Sequence, residues 1–149
     1  MEPSFIPDFI YLYGAAYRDQ IFGPARAEFM APFGAAAHAG VAFSLHSDAP
    51  AAGLPISPLR QLQTAVTRRC ATDGSILGAD LAVSVDAAVL AMTLNAARQI
   101  GLEDTIGTLE HGKQADLTIL DADPYQTDPE QIGAIRVSET WVAWQKRYG

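Results

Sequence analysis

A chain of 149 residues is long enough to bury one compact core. Its composition, 49% hydrophobic and 18% charged, is that of a folded globular protein and excludes a disordered or fibrous one. A net charge of −7 without a basic stripe speaks against nucleic acid as a partner, and no run approaches the roughly 18 apolar residues of a membrane span.

Pro3 and Pro7 bracket Ser4-Phe5-Ile6, so residues 1–8 read as an extended lead-in. From Asp8 to about Ile21, Phe9, Leu12, Tyr13, Ala16 and Tyr17 recur at helical spacing. Gly23-Pro24 starts a second helix with one apolar face, and Pro32 should kink or split it. Gly40 stops it. Val41 to Leu45 or His46 then reads as a buried strand, apolar apart from Ser44. It ends abruptly in His46-Ser47-Asp48 before a loop, 47–56, that carries Pro50, Gly53 and Pro55. A strand tip that delivers an imidazole and a carboxylate beside a loop is how α/β enzymes present catalytic groups. His46 and Asp48, two residues apart, are expected on one side of that strand.

Ser57-Pro58 starts the next helix, with Leu59, Leu62, Ala65, Val66 and Cys70 as its buried side. Arg68 and Arg69 fall in its last turn, where positive charge complements the helix dipole. Asp73-Gly74 is a turn. Ser84 caps a helix over 84–99, which Gly101 ends. The pattern changes at Gly107. Thr108-Leu109-Glu110 and the run from Ala115 to Asp121, around the turn His111-Gly112-Lys113, predict a β-hairpin. After the loop 121–129, the runs 135–137 and 140–144 predict two further short strands. Met1-Glu2-Pro3 has neither the basic start nor the apolar core of a secretory leader, and Cys70 has no partner within the chain. The expectation is a cytoplasmic protein.

Several strings occur in a characteristic order. Leu45-His46-Ser47-Asp48-Ala49-Pro50 is followed by Thr93-Leu94-Asn95-Ala96-Ala97-Arg98, by Gly101-Leu102-Glu103, and by Leu109-Glu110-His111-Gly112-Lys113-Gln114-Ala115-Asp116-Leu117. On these the chain resembles the C-terminal part of the amidohydrolase superfamily, in its YtcJ-like branch, amidohydrolase family 3. The resemblance spans nearly the whole chain. It implies an α/β fold: the C-terminal part of a metal-dependent-hydrolase (β/α)8 barrel plus the C-terminal strands of a small composite β-sandwich. Residues 1–106 would be the barrel end, with Pro3–Ile6 the exit of strand seven and Val41–His46 strand eight. Residues 107–149 would be the C-terminal share of the sandwich.

The resemblance also implies a role for one residue. In the family, the aspartate after strand eight binds the metal or takes a proton from its water, and can protonate the leaving nitrogen; Asp48 holds that position. It is the expected catalytic residue and the one expected metal ligand. His46 is a candidate substrate contact, against the plainer reading of a polar residue at the strand mouth. His38, His46 and His111 do not have the spacing of a zinc site. Arg68 reads as structural rather than anion-binding, Asn95 and Arg98 as links from the last helix to the sandwich, and Asp116 as a hairpin pin.

A barrel of this type takes about 250 residues. The family's His-x-His motif and its other metal ligands are absent from the 149. The expectation is therefore a fragment of an amidohydrolase that cleaves C–N bonds other than peptide bonds, in an amide, an N-acyl group or a cyclic amide of a small-molecule substrate. It would need a divalent metal, zinc, in the complete enzyme and be inactive alone. A truncated reading frame, a gene fragment or a cut piece would each produce such a start. Two alternatives stand beside it. One is half of a split enzyme, with a complementing N-terminal chain. The other is a non-catalytic remnant or interaction subunit that forms homo-oligomers to cover its exposed edges.

Overall fold

Prolines set the first elements. In the computed structural model, which describes residues 2–49 and 54–149, Pro3 and Pro7 flank strand β1 (Ser4–Phe5). Pro7 then takes the first position of helix α1 (Pro7–Ala16), where a missing N–H costs nothing. α1 runs on into a π-helical segment, Tyr17–Ile21. Rings follow one another along this face from Phe9 to Tyr13, Tyr17 and Phe22, with centroids 5.8, 6.2 and 5.1 Å apart, the first two pairs edge-to-face and the last stacked. Pro32 splits the second helical stretch completely, into α2 (Pro24–Ala27) and α3 (Phe33–His38). Within α3, Gly34 rests on the backbone of Leu81, leaving no room for a methyl group. Gly40, at φ 67°, ends the helix as expected.

Strand β2 (Ser44–Leu45) is shorter than the apolar run suggests. It pairs in parallel with β1, Ser4 opposite Ser44 and Phe5 opposite Leu45. On one face the rings of Phe5, Phe33 and Phe43 meet at centroid distances of 5.8 to 6.4 Å and join the core with Ile10, Leu62 and Ala88. On the other face Ser4 Oγ lies 2.7 Å from Ser44 Oγ, and Ser44 Oγ donates to Gln99 Oε1 at 2.6 Å. The helix expected over 84–99 breaks at Thr93 into α5 (Val85–Met92) and α6 (Leu94–Gln99). α6 is tied to the strand pair, not to the C-terminal sheet: Asn95 Nδ2 donates to the Phe43 carbonyl at 3.0 Å, and Arg98 faces Glu2 at 3.9 Å. The sequence reading of Asn95 and Arg98 is corrected accordingly, because a side chain's target depends on how the helix docks.

Helix α4 (Pro58–Thr67) is capped by Ser57, whose Oγ accepts from Arg60 N at 3.4 Å. It ends at Thr67, before both of the arginines expected in its last turn. Arg68 sits at the cap in the left-handed region, φ 52°, and its side chain turns inward to full burial. Beyond it, the Asp73-Gly74 turn forms: Asp73 Oδ1 accepts from Ser75 N at 3.0 Å and Arg18 Nη2 donates to Asp73 Oδ2 at 2.9 Å. The hydrogen bond from Arg18, with those from Ser75, holds the Asp73 carboxyl down at about 2. A depressed carboxyl pKa stabilises the fold above the ordinary value of 3.8, and that contribution disappears as pH falls through about 2. The Tm difference between the chain and its Asp73→Asn variant should therefore close between those two values in an acid titration. A constant difference would place the effect elsewhere than in the ion pair.

The C-terminal third departs most from the sequence expectation. Residues 108–116 are irregular around a turn at His111-Gly112, and the predicted hairpin between 108–110 and 115–121 does not form. Gly107 and Gly112, at φ 93° and 95°, bracket a run too short to pair. Strand β3 (Leu117–Leu120) instead pairs antiparallel with β4 (Val137–Val142), which pairs with β5 (Gln145–Tyr148) in the order β3-β4-β5. The two strands expected within 135–144 form one, and the chain reverses at Ala143-Trp144, both at positive φ (51° and 61°). Asp116 pins this reversal, accepting from Ala143 N at 2.9 Å. A 3₁₀ segment, Pro129–Ala134, fastens the sheet region to α4: Gly133 N donates to Gln63 Oε1 at 2.7 Å and Arg69 pairs with Glu130 at 2.7 Å. Among the described residues no helix is long and apolar enough to cross a membrane.

Candidate functional site

The two parallel strands end side by side, so their C-terminal tips define one place in the molecule. His46 N donates to Phe5 O at 3.0 Å, extending the ladder one bond past β2. The chain then leaves the extended conformation. Asp48 has φ 48°, in the left-handed region that aspartate tolerates better than most residues. The period-two argument that set His46 and Asp48 on one side of a strand therefore stops at His46. Both residues are exposed, and Ser47 Oγ accepts from Ala49 N at 3.3 Å. Pro50 and Gly53 lie outside the described residues.

Below this tip is a buried polar network that sequence reasoning missed. Asp8, whose side chain is 2% exposed, follows β1 in the first turn of α1. It accepts from Arg60 Nε at 3.0 Å, Arg60 Nη2 at 3.3 Å and Gln61 Nε2 at 3.1 Å. Arg60 Nη2 also donates to Pro55 O at 2.9 Å. One guanidinium thus joins the exit of β1 to the far end of the loop that follows Asp48. The sequence signal for half of this was present, an acid in a helix's first turn. Its partner, some fifty positions away (52) in sequence, was not visible.

The remaining candidates lie apart. His38 closes α3, His111 is in an exposed turn, and Arg68 and Cys70 are buried in the core. Arg68 touches backbone carbonyls and the Phe33 ring, its carbon centre 4.9 Å from the ring centroid, which is the structural role rather than an anion site. Among the described residues no group of three or more His, Cys, Asp or Glu is placed to hold a metal ion. The residues present therefore do not fit a metal on their own. Asp48, the one expected ligand, would offer a single carboxylate where a protein zinc site draws on three or four ligands.

Comparison with known proteins supplies the family. The model of the Amidohydrolase family matches residues 1–145. A 5-methylthioadenosine/S-adenosylhomocysteine deaminase from Teredinibacter turnerae is 32% identical over 126 residues, covering 77% of this chain and 27% of the relative. An N-substituted formamide deformylase from Arthrobacter pascens is 36% identical over 110 residues, covering 74% of this chain and 20% of the relative. Among solved structures, an adenosine deaminase from Xanthomonas campestris with bound zinc superposes with a TM-score of 0.57 at 24% identity, over 97% of this chain and 32% of that one. The chain spans about a quarter of the length of the curated relatives it matches. With its α/β architecture and a family match over nearly every residue, the chain belongs to the amidohydrolase family.

Proposed function

We propose that this chain is the C-terminal segment of a metal-dependent amidohydrolase that hydrolyses a non-peptide C–N bond, and that Asp48 is its contribution to the chemistry. Residues 1–106 are the last part of a (β/α)8 barrel in this reading, β1 and β2 being strands seven and eight. Residues 107–149 are the C-terminal share of the β-sandwich. The carrying observation is the position of Asp48, two residues past the ladder of the final parallel strand, in a chain matched by the family over residues 1–145. Active sites on barrels of this kind lie at the C-terminal ends of the strands.

The Asp48 carboxylate takes a proton from the attacking water and returns it to the leaving nitrogen, a general base that becomes a general acid. His46, exposed at the same tip, is in reach of a substrate held over the strand ends. The Asp8–Arg60 pair fastens Pro55, at the far end of the loop that follows Asp48. A divalent metal, zinc, is the cofactor of the complete enzyme in this reading; the zinc-bound deaminase among the structural relatives supports it. Its other ligands come from polypeptide outside these residues, whether continuous with them or a separate N-terminal chain.

Metal analysis after dialysis against zinc tests the division of labour. The chain alone should retain well under one equivalent. A stoichiometric, tightly held zinc would overturn the reading that one carboxylate is all it supplies. In the second arm, the chain replaces its matched segment in the Arthrobacter pascens deformylase. A folded, zinc-loaded hybrid without hydrolytic activity would count against the catalytic assignment.

A further inference from the structure

Little besides the chain on either side of it keeps Asp48 in place. Among the described residues neither its backbone nor its carboxylate makes a hydrogen bond, and the one local bond runs from Ala49 N to Ser47 Oγ. At φ 48° it has left the strand conformation, so no ladder fixes it either. Its place over the strand ends depends on where the segment 46–55 is fastened.

Both fastenings lead to Arg60. At the near end, His46 N donates to Phe5 O at 3.0 Å. Just beyond Phe5, in the first turn of α1, the buried Asp8 carboxylate accepts two hydrogen bonds from Arg60 and one from Gln61 Nε2. At the far end, Arg60 Nη2 donates to Pro55 O at 2.9 Å. The guanidinium has little freedom to swing. Two bonds to Asp8 fix its plane, its carbon centre lies 5.8 Å from the Tyr11 ring centroid, and its side chain is 17% exposed. Its backbone is tied as well, Arg60 N donating to the Ser57 cap of α4.

Stability alone explains this arrangement poorly. A buried ion pair adds little over an apolar pair of the same volume. What the apolar pair lacks is a donor for Pro55 O. A planar fork that serves a carboxylate on one edge and offers a further N–H to a carbonyl is a use of arginine that lysine does not reproduce.

We infer that Arg60 is a positioning residue for the reaction, setting Asp48 over the strand ends by fixing the exit of β1 through Asp8 and the far side of the loop through Pro55 O. This rests on the catalytic reading of Asp48 above and names the group that places it.

Two variants separate positioning from stability. Arg60→Lys keeps a charge for Asp8, but one ammonium does not span Asp8 and Pro55 O. The second combines Asp8→Asn with Arg60→Met, so that both charges leave together and neither is buried unpaired. In the isotope-labelled chain, the amide signals of Ser47, Asp48 and Ala49 should move in both variants. In the zinc-loaded deformylase hybrid, both should lower kcat per bound zinc about tenfold with KM changed less than about twofold, the signature of a displaced reacting group and not of lost protein. Parent-like kcat in either folded variant, or unmoved amide signals at 47–49, overturns the proposal and leaves the network a stability device. The amide measurement needs neither metal nor hydrolysis. If Asp48→Asn abolishes kcat while the Arg60 variants keep it, this proposal alone fails; if Asp48→Asn leaves kcat intact, the catalytic reading fails and the amide signals still report whether Arg60 fixes the segment.

Discussion

Replacing Arg68 with methionine should lower the unfolding free energy by about 3–5 kcal/mol, among the largest effects of any single substitution. The guanidinium is fully buried at the end of α4 and donates to four backbone carbonyls from two other segments. Nε reaches Leu77 O at 2.5 Å, Nη1 reaches Ala31 O at 3.0 Å, and Nη2 reaches Glu28 O and Met30 O at 3.1 and 2.7 Å. These carbonyls belong to the irregular chain around Pro32 and to the turn after Asp73, neither of which has a regular ladder to satisfy it. Burial pushes the guanidinium down to about 10, still far enough above neutrality that it stays cationic. Buried ion pairs are often replaceable by apolar residues, because both charges leave together. Here the acceptors are main chain and remain: Ala31 O keeps the bond from Phe33 N at 2.9 Å, and the Leu77, Glu28 and Met30 carbonyls lose the donor that Arg68 supplies. Arg68→Lys keeps the charge but loses the planar fork, and should fall between the two. Urea unfolding of the three proteins decides it: a methionine variant within about 0.5 kcal/mol of the parent would refute the account.

In a complete, zinc-loaded enzyme carrying this segment, Asp48→Asn should reduce kcat by about 10²–10⁴-fold, the range for loss of a positioned proton-transfer group. The substitution is informative because of the backbone. Asp48 has φ 48°, a conformation asparagine also tolerates, so the variant changes the charge without straining the turn. Asp48→Ala would confound the two. A role limited to capping the loop predicts the opposite ranking, with asparagine nearly normal and alanine impaired. His46→Gln gives the contrast expected for a substrate contact: KM should rise several-fold, about 1 kcal/mol, with kcat little changed. Equal losses in kcat for both variants would contradict the separate roles proposed for them.

How much of this was legible in the sequence depended on the range of the signal. Local signals held. Ser57-Pro58 started a helix, Gly40 and Gly101 stopped two others, and the turn at Asp73-Gly74 formed, while Pro7, read as the end of an extended lead-in, opened a helix instead. The family strings around Asp48, Asn95 and Lys113 placed the chain in its family. Signals that needed a partner failed. Leu117–Leu120 was read as a strand, correctly, but given the nearest candidate mate, when the longer alternating run at 137–142 competes better for it. Arg68 was read by its charge at a helix end, yet one residue in the left-handed region redirected its side chain into the core. The Asp8–Arg60–Gln61 network and the Ser4–Ser44–Gln99 bridge join residues 40 to 55 positions apart, and nothing in a single sequence marks such pairs.

The Ser4–Ser44 pairing also bears on the order in which the molecule assembles. Two adjacent parallel strands here are forty residues apart in the chain. Closing a loop of that length costs entropy before a single ladder bond is gained. Only two residues per strand pair, so the gain in backbone bonds is small. The closure becomes favourable once α1, α2 and α3 have folded the intervening chain into a short rigid connection, and once α6 offers Gln99 and Asn95 to hold the strands together. The strand pair is thus expected to form late, after the helices pack, with the tip that carries Asp48 ordered along with it.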